Sequence, residues 1–291
     1  MVRLTPLTST HRHRGLRISL HDLSPIRSRP PRPGRQAVEH ARQPLFPTTI
    51  GDRTVIDAIG FDCDDTLWHS EAAFHLTQER VRELLAAHTD AETLDRRLLE
   101  VERANLALYG YGAKAFTLSL IETAAELAGD RLTAADVQSL LDAGKEILAH
   151  PVDLLPGARA ALQHAVDTGL PVLLVTKGDL FHQEAKVARS GLGELVSAVE
   201  VIHEKDESTY ARVLRRNGID PARFLMVGNS MRSDVAPVLS LGGWAAHVPH
   251  DLLWELERLD DESHLRASPR FRAMSSLAEL APWIAELRTA P

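Results

Sequence analysis

Three aspartates stand within four positions in the stretch IGFDCDDTLW, Ile59 to Trp68: Asp62, Asp64 and Asp65. Carboxylates packed this densely repel one another and resist ionisation unless something compensates them. Asp62 and Asp64 follow an apolar run with one residue between them, so a turn there can aim both at one point. Oxygen ligands clustered in that way suit Mg²⁺. Groups of matching chemistry follow other short apolar runs further along: Thr176 and Lys177, then Lys205, then Asn229, Ser230, Ser233 and Asp234. Two carboxylates, a hydroxyl, a lysine and a distal Asp brought to one place describe an Mg²⁺-dependent phosphoryl-transfer site.

The elements that must position these groups are readable from Gly51 onward. Short aliphatic runs, VIDAIGF (55–61), LPVLLV (170–175), AVEVIH (198–203), RFLMVG (223–228) and GWAAHV (243–248), lack strict alternation, as strands buried on both faces do. Helical stretches separate the later runs: Gly157–Asp167, Leu180–Arg189, Ser208–Arg216 and Ser233–Leu241. Several of these close at a glycine, Gly169, Gly191, Gly218 or Gly242, where a left-handed residue can end a helix. The alternation predicts an α/β fold with a Rossmann-like parallel sheet of about five strands. Between the first two strands lie about a hundred residues without a strand pattern. Four helical stretches fill that interval: Ser70–His88, Ala91–Leu108, Lys114–Ala128 and Thr133–Ala149. An all-helical insertion after the first strand sits over the carboxyl edge of such a sheet, where ligands bind. The expected organisation is therefore a core of residues 52–69 and 151–291, with a helical cap over residues 70–150.

Composition limits the remaining possibilities. The chain has 291 residues, 44% of them hydrophobic, ample for a large core. Residues 1–51 carry nine arginines against Asp22 and Glu39, a net of +7, so the other 240 residues sum to −14 of the total −7. An acidic body argues against nucleic acid as partner. The first fifty residues mix arginine, proline and histidine without any period, a composition expected to form a disordered tail. No apolar run reaches the roughly 18–20 residues a membrane span needs. Cys63 is the only cysteine, which excludes an internal disulfide and favours a cytoplasmic setting. Its place between two aspartates contributes backbone rather than thiol chemistry. The fourteen histidines show no metal-ligand spacing.

In order and spacing, four motifs resemble those of the haloacid dehalogenase superfamily, and within it the phosphatases with a helical cap after the first strand. DCDDT (62–66) is similar to the DxDxT signature and LLVTK (173–177) to the strand ending in Thr or Ser. EKDESTY (204–210) is similar to the lysine motif and VGNSMRSD (227–234) to the acidic motif. The resemblance implies a phosphatase acting on a small-molecule phosphate ester through an aspartyl-phosphate, with Asp62 as nucleophile and Asp64 as general acid/base. It implies that Mg²⁺ is held by Asp62, the Asp64 carbonyl and Asp234, that Thr176 binds phosphoryl oxygens, and that Lys205 offsets negative charge. Backbone N–H groups of Cys63, Asp64 and Lys177 complete the cradle. Asn229 departs from the motif, which more often has Asp there; as an amide it can ligate the metal or a metal-bound water but contributes no charge. Asp64 argues against carbon–halogen cleavage, since the dehalogenases lack an Asp at that position; a sugar phosphomutase shares the same core and stands as the alternative.

Two further stretches invite a role. Trp68, His69, Glu71 and Phe74 follow the first motif where a substrate-facing flap is expected. In YGYGAKAF, Tyr109 to Phe116, glycines permit a turn that aims the loop downward, and Lys114 at the next helix start is a candidate substrate ligand. Asp65 is expected to cap or orient the turn.

Overall fold

The computed structural model describes residues 55–289, so the Arg/Pro-rich stretch 1–51 lies outside the described residues. The sheet is built from β1 (Ala58–Phe61), β2 (Val172–Lys177), β3 (Ala198–Ile202), β4 (Phe224–Gly228), β5 (Trp244–His247) and β6 (Phe271–Ala273). Their order is β3-β2-β1-β4-β5-β6, and every pairing is parallel. The five aliphatic runs are the first five strands. The sixth, FRA, is too short and too polar to stand out as a run, and forms because Ala245 and His247 offer an edge for Phe271 and Ala273 to pair with.

Alternation along each strand explains why the runs are apolar throughout. Ile59, Phe61, Val172, Leu174, Leu225 and Val227 point into one core layer. Ala58, Leu173, Val175, Phe224 and Met226 point into the other. Helices α5 (Ala158–Asp167) and α10 (Leu280–Thr289) cover the first layer, while α7 (Glu207–Asn217) and α8 (Ala236–Ser240) cover the second. A strand buried on both faces has no solvent side on which to place polar residues. Gly60 lies in the middle of β1 because a Cβ there would come within 2.4 Å of the Phe224 ring.

The interval between β1 and β2 is helical, as the pattern predicts: α1 (Glu71–Leu85), α2 (Ala91–Tyr109), α3 (Ala113–Ala128) and α4 (Ala134–Ala149). These four share their own apolar core around Leu94, Leu98, Leu120 and Leu140. Side chains set their starts: Asp90 caps α2 by accepting from Thr93 N, and Thr133 and Asp136 form a capping box on α4.

The chain leaves β1 towards β2 and β3 on one side, then returns to place β4 on the other. The connections therefore diverge at the carboxyl ends of β1 and β4, and a crevice opens there. It is the place where the sequence puts Asp62 and Asn229.

Candidate active site

The ends of β1, β2, β3 and β4 deliver the functional groups. Asp62 is the first residue after β1, and its N–H donates to Val227 O of β4 at 2.8 Å. Its side chain is buried, with Oδ2 accepting from Thr66 Oγ1 at 2.8 Å and Oδ1 from Lys205 Nζ. Lys205 also donates to Asp234 Oδ1 at 2.6 Å, so one ammonium bridges two buried carboxylates. Burial pushes the Asp62 carboxyl up to about 7; Lys205 pulls it down, and Asp234 pushes it up again.

Asp234 owes its position to an unusual turn. The sequence predicts a helix over 233–241; the chain instead makes a π-helical turn, Met231–Val235, before the α-helix α8. Val235 N donates to Ser230 O at 3.3 Å, the five-residue spacing of such a turn, while the Ser230 hydroxyl accepts from Ser233 N and Ser230 N donates to Asp234 Oδ2, both at 3.0 Å. Such turns often mark functional positions. Gly228 completes the arrangement, for a Cβ there would lie 2.2 Å from the Asp234 carboxylate. Asn229 faces the same group of residues, its Oδ1 standing 3.5 Å from Thr66 Oγ1.

The oxygens gathered here around Lys205 are the carboxylates of Asp62 and Asp234 and the side-chain amide of Asn229. Two desolvated carboxylates that already share one cation, beside an amide oxygen, fit a hard divalent ion. Thr176, at the end of β2, adds a second mark of a ligand site. The residue is buried and lines the same cavity, and its hydroxyl has no hydrogen-bond partner among the described residues. A buried hydroxyl left unpartnered in a cavity wall is able to bond a group supplied from outside.

Asp64 is placed differently from Asp62. Both its oxygens contact Lys186 Nζ, at 2.6 and 2.7 Å, and Gln183 Nε2 and Trp68 Nε1 add bonds of 2.9 and 2.6 Å. Burial alone would raise this carboxyl, but Lys186, Gln183 and Trp68 together hold it below its ordinary value. Lys186 and Gln183 lie on α6 (Leu180–Ser190), three residues apart and therefore on one face. The motifs do not mark them. A trace was present in the sequence, since Gln183 and Lys186 fall on the face that α6 turns inward, where Val187 is also buried.

The remaining candidates separate into two groups. The Cys63 side chain is wholly buried in the core, and its backbone oxygen accepts from Leu67 N. Asp65 adopts φ 59° and caps α1, accepting from Ser70 N and Glu71 N at 2.9 Å. Lys177 lies in the cavity wall, with its ammonium 4.0 Å from the Tyr111 ring and bonded to Glu257 and to Ser233 Oγ. Lys114 is placed elsewhere: it pairs with Asp179 at 3.0 Å, is half exposed, and does not line the cavity. From that loop it is Tyr111 that reaches the core, between Gly110 and Gly112 at φ 70° and 104°, with its hydroxyl donating to Glu204. Glu71 and Phe74 line the cavity, whereas Trp68 is buried against Asp64. His69 packs edge-on against His250, and these two gather with Asp65, ligand atoms within 4.8 Å of one another. Spacing could not show that cluster, because His250 lies 181 positions beyond His69 in the sequence.

The cavity measures about 520 Å³ and is walled by the sheet edge, by α1 to α3, and by a segment the sequence reading did not single out, Leu252–Arg258. Glu257 of that segment accepts from Lys177, Ser230 and Ser233. Although burial opposes it, the Lys177 ammonium and the serine hydroxyls hold its carboxyl down at about 2. Trp254 meets Tyr111 edge to face at 6.0 Å.

Residues 56–242 match the family model for haloacid dehalogenase-like hydrolases. The chain is similar to a haloacid dehalogenase-like family hydrolase from Xanthomonas campestris, with 40% identity over 82% of this chain and 95% of that one, and a TM-score of 0.73. It shares its fold with 2-haloacid dehalogenase from Pseudomonas syringae, at 21% identity over 79% of this chain and 98% of that one, with a TM-score of 0.52. The same holds for YfnB of Bacillus subtilis, in a structure bound to magnesium: 14% identity over 79% and 99% of the two chains, and a TM-score of 0.55. No curated protein matches the chain. With a family model spanning well over half the sequence, and its motifs meeting at the divergence point of a parallel sheet, the chain belongs to the haloacid dehalogenase-like hydrolases.

Proposed function

We propose that the protein hydrolyses a small phosphomonoester through an aspartyl-phosphate on Asp62, with Mg²⁺ as cofactor. The observation that carries this reading is the pairing of Asp64, a carboxylate in the cavity wall two residues beyond Asp62, with the partnerless Thr176 hydroxyl. A phosphoryl group needs both a donor for its oxygens and a proton for its leaving alkoxide; displacement of a halide needs neither.

In the first half of the reaction an Asp62 oxygen attacks phosphorus, the P–O bond to the alcohol breaks, and Asp64 gives the departing alkoxide its proton. In the second half, water attacks phosphorus as Asp64 takes the proton back, and the bond to Asp62 breaks to release phosphate. Thr176 and the backbone N–H groups of Cys63 and Asp64 hold the phosphoryl oxygens, and Lys205 offsets charge on Asp62. Asp62, the Asp64 carbonyl, Asp234 and Asn229 would hold Mg²⁺, which would supply charge neutralisation for the phosphoryl oxygens. Because Lys186 contacts both oxygens of Asp64 and favours its ionised form, the acid half requires that carboxyl to turn from Lys186 towards the cavity and bind there the proton it donates.

The test is a panel of small phosphomonoesters assayed with Mg²⁺ and with EDTA, following both free phosphate and isomerised ester. Mg²⁺-dependent phosphate release is expected. An isomerised sugar phosphate without free phosphate would make the protein a mutase, and no reaction on any ester would overturn the reading.

A further inference from the structure

The wall of the cavity carries more acid than base. Nine aspartates and glutamates line it against six lysines and arginines, an excess of acids in a site that an anionic phosphate must enter. Each of the six cations already has a carboxylate. Lys205 serves Asp62 and Asp234, Lys186 serves Asp64, and Lys177 serves Glu257. Arg82 pairs with Asp95, Arg96 with Glu100, and Arg258 with Glu255.

Two carboxylates remain on the cap side, Glu71 of α1 and Glu102 of α2. Among the described residues neither pairs with a lysine or arginine. Glu71 has His75 at 3.9 Å, and Glu102 has the neutral indole N–H of Trp254. Burial pushes Glu71 up to about 8, with Asp65 and then Glu102 adding repulsion, and pushes Glu102 up to about 7.

Aromatic rings are an independent observation in the same wall. Phe74 and Phe116 meet edge to face at 5.2 Å, and Tyr111 and Trp254 at 6.0 Å, all four lining the cavity. The Lys177 ammonium already sits over the Tyr111 ring at 4.0 Å, so these faces accept a cation in this protein. Carboxylates without cations beside aromatic faces form a receptor for an organic ammonium group.

We infer that the alcohol half of the substrate carries a positively charged amine, bound between Glu71 and Glu102 against the aromatic wall, while the phosphoryl group lies at Asp62 and Thr176. The inference rests on the phosphatase reading and refines it. A second acid on the substrate would meet the excess carboxylates and find every cation occupied.

Matched esters test it. Full-length protein with Mg²⁺ is assayed on phosphocholine against 3,3-dimethylbutyl phosphate, which has the same shape without the charge, and on 2-aminoethyl phosphate against propyl phosphate. The ammonium ester of each pair is expected to show kcat/KM higher by about tenfold or more. Glu71→Gln and Glu102→Gln should each bring the ratio towards one, chiefly through KM of the ammonium ester. Wild-type protein decides the matter even if those variants fold poorly. Equal rates, or preference for the neutral esters, would overturn the inference and leave the phosphatase reading intact. Failure on every ester, p-nitrophenyl phosphate included, would overturn both.

Discussion

At the scale of single residues, room and charge are both fixed. Gly228 leaves space for the Asp234 carboxylate, and a methyl group there would sit 2.2 Å from it. Gly228→Ala is therefore expected to displace Asp234 and cut turnover at least about tenfold, with a raised Mg²⁺ requirement, while a distant Gly169→Ala leaves both unchanged. The readout is activity against Mg²⁺ concentration. Lys186 sets the proton affinity of Asp64. Without it the effect of burial is opposed only by Gln183 and Trp68, so the carboxyl must rise. In Lys186→Met the limb of the pH–rate profile governed by Asp64 should move to higher pH, and an unmoved or acid-shifted limb would contradict this. Asp62, Asp64, Thr176, Lys205 and Asp234 were legible because each follows a recognisable apolar run. Gln183 and Lys186 were not, because a polar residue on a helix is ordinary until its burial is known. Lys114 illustrates the opposite failure: its loop does face the core, but one helical position decides whether a side chain meets the cavity or Asp179.

At the scale of elements, the strands and cap helices were legible to within a few residues, since hydrophobic period and glycine stops encode them directly. The π-helical turn at Met231–Val235 was not, because it depends on hydrogen bonds made by Ser230 rather than on any apolar period. The short strand β6 and the segment Leu252–Arg258 also escaped, being defined by what they pack against. Glu257 fixes that segment, and its folded carboxyl lies at about 2 against an ordinary 4.5. A carboxyl lowered on folding stabilises the protein above its unfolded value and loses that contribution as pH falls through its folded value. The contribution is on the order of 3 kcal/mol at most. Glu257→Gln should therefore lower Tm at pH 7, with the gap to wild type narrowing from about pH 4.5 downward. Melting curves from pH 7 to pH 3 check this, and a gap that widens with acid would contradict it.

At the scale of the whole molecule, the cap and the core meet through a few polar and aromatic contacts. Tyr111 bridges Lys177, Glu204 and Trp254, and Lys114 pairs with Asp179. The crowded carboxylates at β1 and β4 are the other global feature. In the protein alone Lys205 is the cation shared by Asp62 and Asp234, and a divalent ion binding the folded state adds stability by mass action. Mg²⁺ should raise Tm over EDTA by a few degrees, and Asp234→Ala should shrink that shift more than Asn229→Ala, since a charge is lost rather than a dipole. The central claim is that Asp62 becomes covalently phosphorylated. Rapid mixing of protein, Mg²⁺ and a phosphoryl-labelled ester, followed by acid quench, tests it most directly. Label is expected on Asp62, removable by hydroxylamine and absent in Asp62→Asn, a variant expected to melt like wild type. Turnover with no labelled protein, or label that survives in Asp62→Asn, would contradict it.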